Sequence, residues 1–303
     1  MKEEMEKYKK QGKNIVVTCF IIAFALIILL LILTILTKLF PLLILIPFIL
    51  TTILLVGIIL YSVPYGKYRA IYKEYYVKEA LESVFTDLVY KPSDGLPESI
   101  IRETEMMNMG DKYSSNDYIS GKYKDINVEQ ADVTITEERE RKNSDGETEK
   151  YNVTIFRGKW LIFDFNKPFK ANMQIREKSF SNSRLNNWNQ EVKFKKVILE
   201  DGEFNNTFRV YAQDEEEAFY ILTPHFMDKI KKVAYSVSGQ LLFCFIDNKL
   251  HIGLYNNNDS FEPSLSSNLS EEQIKNKIVA DIKVITNFVD QLNLDNDLFK
   301  KEV

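Results

Sequence analysis

Reactive side chains are scarce in this chain: two cysteines and two histidines occur in 303 residues. Cys19 lies inside an apolar run and Cys244 far from it in sequence, so there is no disulfide framework, which suits a reducing compartment; each reads as a small buried hydrophobe. His225 follows Pro224 in the first turn of an expected helix, and His251 alternates with Leu250 and Ile252 in a strand pattern. Neither has further ligands at the spacing of a zinc site, so no metal and no cofactor are expected. The chain has no HExxH, Walker loop, GxSxG or CxxC, so no catalytic residue is assigned and a non-enzymatic role is favoured. "NNNDS", residues 256 to 260, lacks the glycine and spacing of a calcium loop. Positive charge is also short. Beyond residue 63, 33 basic residues face 40 acidic ones, a balance that argues against a nucleic-acid partner. The acidic clusters Glu137-Glu138-Glu140 and Asp214 to Glu217 suit an exposed hairpin tip and a helix start.

Against these shortages stand two long apolar runs. Asn14 to Thr37 carries no charge and, as a helix, spans roughly 36 Å, enough to cross a hydrocarbon core of about 30 Å. Leu42 to Val63 follows after Lys38 and Pro41 and spans roughly 33 Å. Together they read as a transmembrane helical hairpin, with Pro41 at the start of the second helix and Pro47 a candidate kink. The first run is too long for a signal peptide and has no small-residue cleavage site after it. Lys2, Lys7, Lys9, Lys10 and Lys13 precede the hairpin, Lys67, Arg69, Lys73 and Lys78 follow it, and the turn holds only Lys38. The positive-inside rule then places both termini in the cytoplasm, with Tyr61, Tyr65 and Tyr68 as an interfacial belt; the expected location is the cell membrane. Lys67, Arg69, Lys73 and Lys78 are also the candidate lipid-facing cations, although setting topology is an equal reading of them. The spans hold threonines (Thr18, Thr34, Thr51, Thr52) and no ionisable group, which favours an anchor over a channel.

The remainder reads as a soluble α+β body of antiparallel strands with flanking helices, ending in an amphipathic helix. Its expected parts are a juxtamembrane helical segment over 64–110, an antiparallel β region over 111–180 and an α+β region over 190–303. Residues 65 to 89 have a helical pattern that must stop near Lys91-Pro92-Ser93-Asp94-Gly95. Residues 126 to 140 and 148 to 165 read as a long hairpin about Asn143-Ser144-Asp145-Gly146. A turn at Asp201-Gly202 between two strands, helices from Asp214 and from Pro224, a hairpin about Asp247-Asn248, and a helix with Ile274, Ile278, Ile282, Ile285 and Val289 on one face complete the order.

The stretch "NVTIFRGKWLIFDFNKPFKANMQI", residues 152 to 175, is the densest apolar run outside the hairpin, yet it holds charges. Leu161, Phe163 and Phe165 share one face and Trp160, Ile162 and Asp164 the other, so both faces of this strand should be covered. Arg157-Gly158 reads as a β-bulge, with Arg157 and Lys159 as candidate partners of Asp164. Arg157, Gly158, Asp164, Asn166 and Lys167 are therefore the candidate binding or structural residues, with scaffold the favoured role.

These pieces resemble a bacterial family known as domain of unknown function 3137. The resemblance rests on "YISGKYKDINVEQADV", "TIFRGKWLIFDFNKPFKANMQI", "FRVYAQDEEEAFYILTPHFMDKI", "FCFIDNKLHIGLY…FEPSL" and the closing helix, in that order over roughly residues 65 to 295. It implies a double membrane span ahead of the domain, no assigned activity, and a membrane-anchored partner of the LemA type.

Three functions fit. The chain is expected to be a membrane-anchored cytoplasmic interaction or scaffold module, whose partners are the bilayer and another protein. The alternatives are an enzyme acting on a membrane-proximal substrate and a subunit of a transport assembly. A pocket uniting Arg157 and Asp164 would favour the enzyme. An exposed apolar patch on the body would favour the interaction module.

Overall fold

The computed structural model describes residues 2–38, 43–144, 146–164, 169–180, 184, 193–263 and 270–292. It divides into two compact units, Met1–Glu79 with Glu262–Ser270 and Ala80–Phe261 with Glu271–Val303.

The first unit is built on α1 (Lys2–Thr37) and α2 (Leu45–Tyr72), which pack against each other. Gly57 permits their close approach, since a Cβ there would stand 3.0 Å from Cys19 Sγ. Both helices are long and apolar enough to cross a membrane, and their apolar surface is mostly uncovered: Phe20 is 73% exposed and Phe24 68%. Pro47 falls in the first turn of α2, where its missing N–H breaks no intrahelical bond, and the helix continues through Pro64 without ending. It passes into a π-helical turn, Lys73–Val77, and then α3 (Lys78–Glu82). Helix therefore stops well short of Lys91. Thr86–Lys91 is instead the edge strand β1, where Val89 and Tyr90 pair with Ser120 and Ile119. The tyrosine-rich periodicity made both readings available locally, and cross-strand pairing decides between them.

The second unit holds one nine-stranded antiparallel sheet in the order β1-β2-β3-β4-β9-β8-β5-β7-β6. Its strands are β1, β2 (Lys112–Tyr123), β3 (Ile126–Lys142), β4 (Thr148–Asp164), β5 (Met173–Glu177), β6 (Lys195–Val197), β7 (Phe208–Ala212), β8 (Gln240–Ile246) and β9 (Lys249–Tyr255). Helix α4 (Glu98–Glu103) lies between β1 and β2. Gly202–Thr207 forms α5 rather than a bare turn, because the Asp201 carboxylate caps it by accepting from Phe204 N at 3.0 Å. Helices α6 (Glu215–Ile221) and α7 (Pro224–Ser236) are capped by Asp214 and Thr223, and α8 (Glu271–Leu292) closes the described chain.

Both faces of the sheet are buried at β4. On one, Trp160 and Ile162 join Ala131, Val133, Leu242 and Cys244 in a core with Ile101, Met106 and Met107 from α4 and the residues after it. On the other, Phe163 pairs with Leu250, which pairs with Phe245, whose ring meets that of Phe226 on α7. Of the expected α8 stripe, Ile278, Ile282, Ile285 and Val289 are buried and Ile274 is half-buried; Phe288 and Leu292 join the buried face.

Strands β3 and β4 outrun their neighbours. Their pairing continues to Lys142↔Thr148, whereas β2 stops at Thr136 and β9 starts at Gly158. Residues 137–153 thus form a two-stranded arm, charged along its length, with ion pairs such as Lys150–Glu138 at 2.7 Å and Arg141–Glu149 at 2.9 Å.

Candidate functional site

The expected bulge lies elsewhere. Register shifts between Ile135↔Phe156 and Thr136↔Thr154, so Ile155 is the extra residue, while Arg157 and Gly158 pair normally with Thr134 and Val133. Gly158 has another duty. Its φ is 155°, and a Cβ would stand 2.0 Å from the Leu254 carbonyl oxygen, so the approach of β9 to β4 requires glycine here. Arg157 is exposed, and its carbonyl accepts from Asn256 N at 3.3 Å and Asn257 N at 3.0 Å. Asp164 accepts from Asn127 Nδ2 at 2.8 Å, not from Arg157 or Lys159. Seven residues of strand separate Arg157 from Asp164, roughly 23 Å, and the pleat turns them to opposite faces, so no pocket unites them. Asn166 and Lys167 lie outside the described residues.

The juxtamembrane cations have protein partners. Lys73 is buried with Nζ 2.7 Å from Glu262, and Arg69 pairs with the same carboxylate, Nε donating at 2.9 Å. Lys78 pairs with Glu74 at 2.7 Å, and Lys67 lies 5.4 Å above the Tyr8 ring centroid.

A buried charge cluster does form around Lys159, which sequence reasoning treated only as a partner for Asp164. The pleat puts Lys159 on the face opposite Asp164, directly across the ladder from Asp132. It is 1% exposed. Its ammonium donates to Ser260 Oγ, lies 3.8 Å from Asp281 Oδ1 and stands 5.2 Å from the Phe261 ring centroid. Ser260 closes on Asp132 twice, donating from Oγ to Oδ1 at 2.8 Å and from its backbone N–H to Oδ2. Asp281, from α8, accepts from Phe261 N at 3.2 Å. One buried lysine thus fastens β3, β4, the segment after β9 and α8.

A second layer of carboxylates adjoins it. Oxygens of Asp117, Asp132 and Asp259 lie within 4.8 Å of one another. Asp117 is buried in a left-handed conformation, φ 56°, where the β2–β3 register shifts. It accepts from Tyr90 OH and Asn116 Nδ2, each at 2.8 Å, and Asn116 also reaches Asp259 at 3.3 Å. Such a trio has the donor type a hard cation takes. Here the oxygens of Asp117 and Asp132 are already engaged by Tyr90, Asn116 and Ser260, so the protein accounts for their placement.

Burial pushes the Asp132 carboxyl up to about 7; Lys159 and the Ser260 bonds pull it back, and Asp117 pushes it further. On the opposite face His251 Nδ1 accepts from Trp160 Nε1 at 3.3 Å, and burial holds its imidazole down at about 4, with Lys249 adding to the effect. Both groups are closed from solvent. Ser260 is 1% exposed, so its hydroxyl meets Lys159 and Asp132 rather than a substrate. Chemically the arrangement is a clasp: it holds charge in place and offers no open nucleophile.

The sequence held one signal for this clasp, a lysine inside a strand whose two faces are both apolar. Asp117, Asp132, Ser260 and Asp281 carried none, since each is an ordinary polar residue until the fold assembles them.

Residues 154–294 match the model of the family described as "Protein of unknown function (DUF3137)", which supports the resemblance over the part of the chain that includes Lys159, Ser260 and Asp281. No curated protein matches the chain. Among solved structures, the chain is similar to the mycobacterial trehalose monomycolate transport factor A, TtfA. That similarity is 8% in identity with a TM-score of 0.41, over 75% of this chain and 94% of that one.

Proposed function

We propose that this chain is a membrane-anchored interaction module, held by α1 and α2 and presenting its β-sheet unit to a protein partner on the cytoplasmic side. The observation that carries the reading is the uncovered apolar surface of the two helices, which water would not tolerate over such a length. The lysines on both flanks of the pair support a cytoplasmic location for both termini.

The enzyme alternative finds no support in the charge cluster around Lys159, because Lys159, Asp132 and Ser260 are closed from solvent. The transport alternative would need polar groups free to line a path. The hydroxyls of Thr34, Thr51 and Thr52 instead donate back to carbonyls of their own helices, at 2.8, 3.0 and 2.8 Å.

For the partner surface, the exposed aromatics Phe219 and Tyr220 on α6 and Tyr235 on α7 are the natural contacts: 45%, 67% and 70% of their surface is open. The partner sought is a membrane-anchored protein, of the LemA type if the family resemblance carries over. The test is photo-crosslinking in native membranes with the full chain. A Phe219→Ser, Tyr220→Ser, Tyr235→Ser variant should lose its crosslinked band while keeping its melting temperature and its membrane fractionation. An unchanged band would remove this surface from the account, and release of the intact chain by alkaline carbonate would remove the anchor.

A further inference from the structure

Arg176, on β5, is 2% exposed. Its Nη2 donates to Gln174 Oε1, and the guanidinium stands 5.4 Å from the Tyr211 ring centroid. Nε and Nη1 are buried with no hydrogen-bond partner. Burial lowers its pKa to about 10, and the other groups acting on its charge are Tyr211, Cys244 and Arg209, none of them a carboxylate. A guanidinium taken out of water needs a counter-charge or a full set of acceptors, and this one has neither among the described residues.

The strands around it add positive charge. Arg176 pairs directly with Arg209 on β7, and like charges opposite each other in an antiparallel ladder repel. Tyr211, two residues on and therefore on the same face, pairs with Lys196 on β6. Arg176, Arg209 and Lys196 thus share one face across three consecutive strands. They grade from buried through half-buried to exposed toward the sheet edge. One acid beside this region, Glu105, follows the Thr104 carbonyl that accepts from Gln174; it is held by Lys193 Nζ at 2.7 and 2.8 Å.

We infer that this end of the sheet is an oxyanion site, with Arg176 at its base and Arg209 and Lys196 at its mouth, and that it takes a phosphate group, free or carried on a lipid headgroup. A phosphate would supply acceptors for the two open donors and offset the repulsion between the arginines. Guanidinium groups match phosphate oxygens in geometry as well as charge.

The test uses the full chain in nanodiscs of zwitterionic lipid. Inorganic phosphate is titrated calorimetrically against sodium chloride of equal ionic strength, and thermal stability is compared in discs with and without phosphatidic acid. The wild type should give saturable phosphate binding, or a phosphatidate-dependent rise in melting temperature, or both; the first identifies a soluble source and the second a lipid one. Arg176→Gln should weaken that response at least tenfold, and Lys150→Gln, on the distant arm, should leave it unchanged. If Arg176→Gln does not fold, Arg209→Gln must show the weakening. No response in either arm of the wild type would overturn the site. So would a response that neither arginine variant alters.

Discussion

Lys159 and Asp132 face each other across the β3–β4 ladder with almost no water to screen them, and this sets the cost of changing either. Removing Lys159 takes the buried cation away from both Asp132 and Asp281. Lys159→Met should therefore lower unfolding free energy by about 3–5 kcal/mol in urea melts. Adding Asp132→Asn to that variant should return part of the loss, a non-additivity a double-mutant cycle measures. The pH dependence is equally specific. Asp132 sits at about 7 against an ordinary 3.8, so its stabilising share is complete below 3.8 and is lost as pH rises through 7. His251 sits at about 4 against 6.5, so its share is complete above 6.5 and is lost as pH falls through 4. Between pH 4 and 6.5 the two oppose each other. Asp132→Asn should unmask the histidine, making the variant lose stability on acidification more steeply than the wild type. Gln130, two residues from Asp132, offers a gain instead. Its amide is fully buried with neither Nε2 nor Oε1 bonded, between Ile119 and Leu161 on the neighbouring strands. Gln130→Met should raise stability by about 1–3 kcal/mol in the same urea melts, by removing an unsatisfied polar group.

At the scale of elements, β3 and β4 each have two regimes. Residues 155–163 of β4 lie within the sheet, with apolar burial on both faces, whereas 137–153 form the exposed arm. A two-stranded ribbon without further packing is marginal in water. Amides of the arm should exchange with deuterium orders of magnitude faster than those of Trp160 to Phe163. Shortening the arm to a tight turn after Arg139, which keeps the contacts of Glu137 and Glu138 with Asn108 and Asp111 and the packing of Val153, should leave the melting temperature unchanged. Most of this layer was legible in the sequence. The hairpin, the acid-led α6, the proline-led α7, the β8–β9 turn and the α8 stripe all follow from local periodicity and caps. What was not legible depended on distant pairing. β1 looked helical until β2 is placed beside it, α5 looked like a turn until Asp201 caps it, and the bulge moved from Gly158 to Ile155 because the ladder's register is set by both strands. The clasp was hidden for the same reason: strand parity decides which face Lys159 takes, but Asp132, Ser260 and Asp281, the groups gathered around it, come from three other segments.

At the scale of the whole molecule, the account rests on two helices with uncovered apolar surface and on the sided distribution of lysine and arginine around them. The direct measurement is accessibility of the C-terminus. A single cysteine is appended there, Cys19 and Cys244 are replaced by alanine or serine, and intact cells are treated with a membrane-impermeant thiol reagent before and after lysis. The account predicts labelling only after lysis, in a protein that sediments with membranes and leaves them only in detergent. Labelling of intact cells, or recovery of the full-length chain from the aqueous fraction, would contradict it.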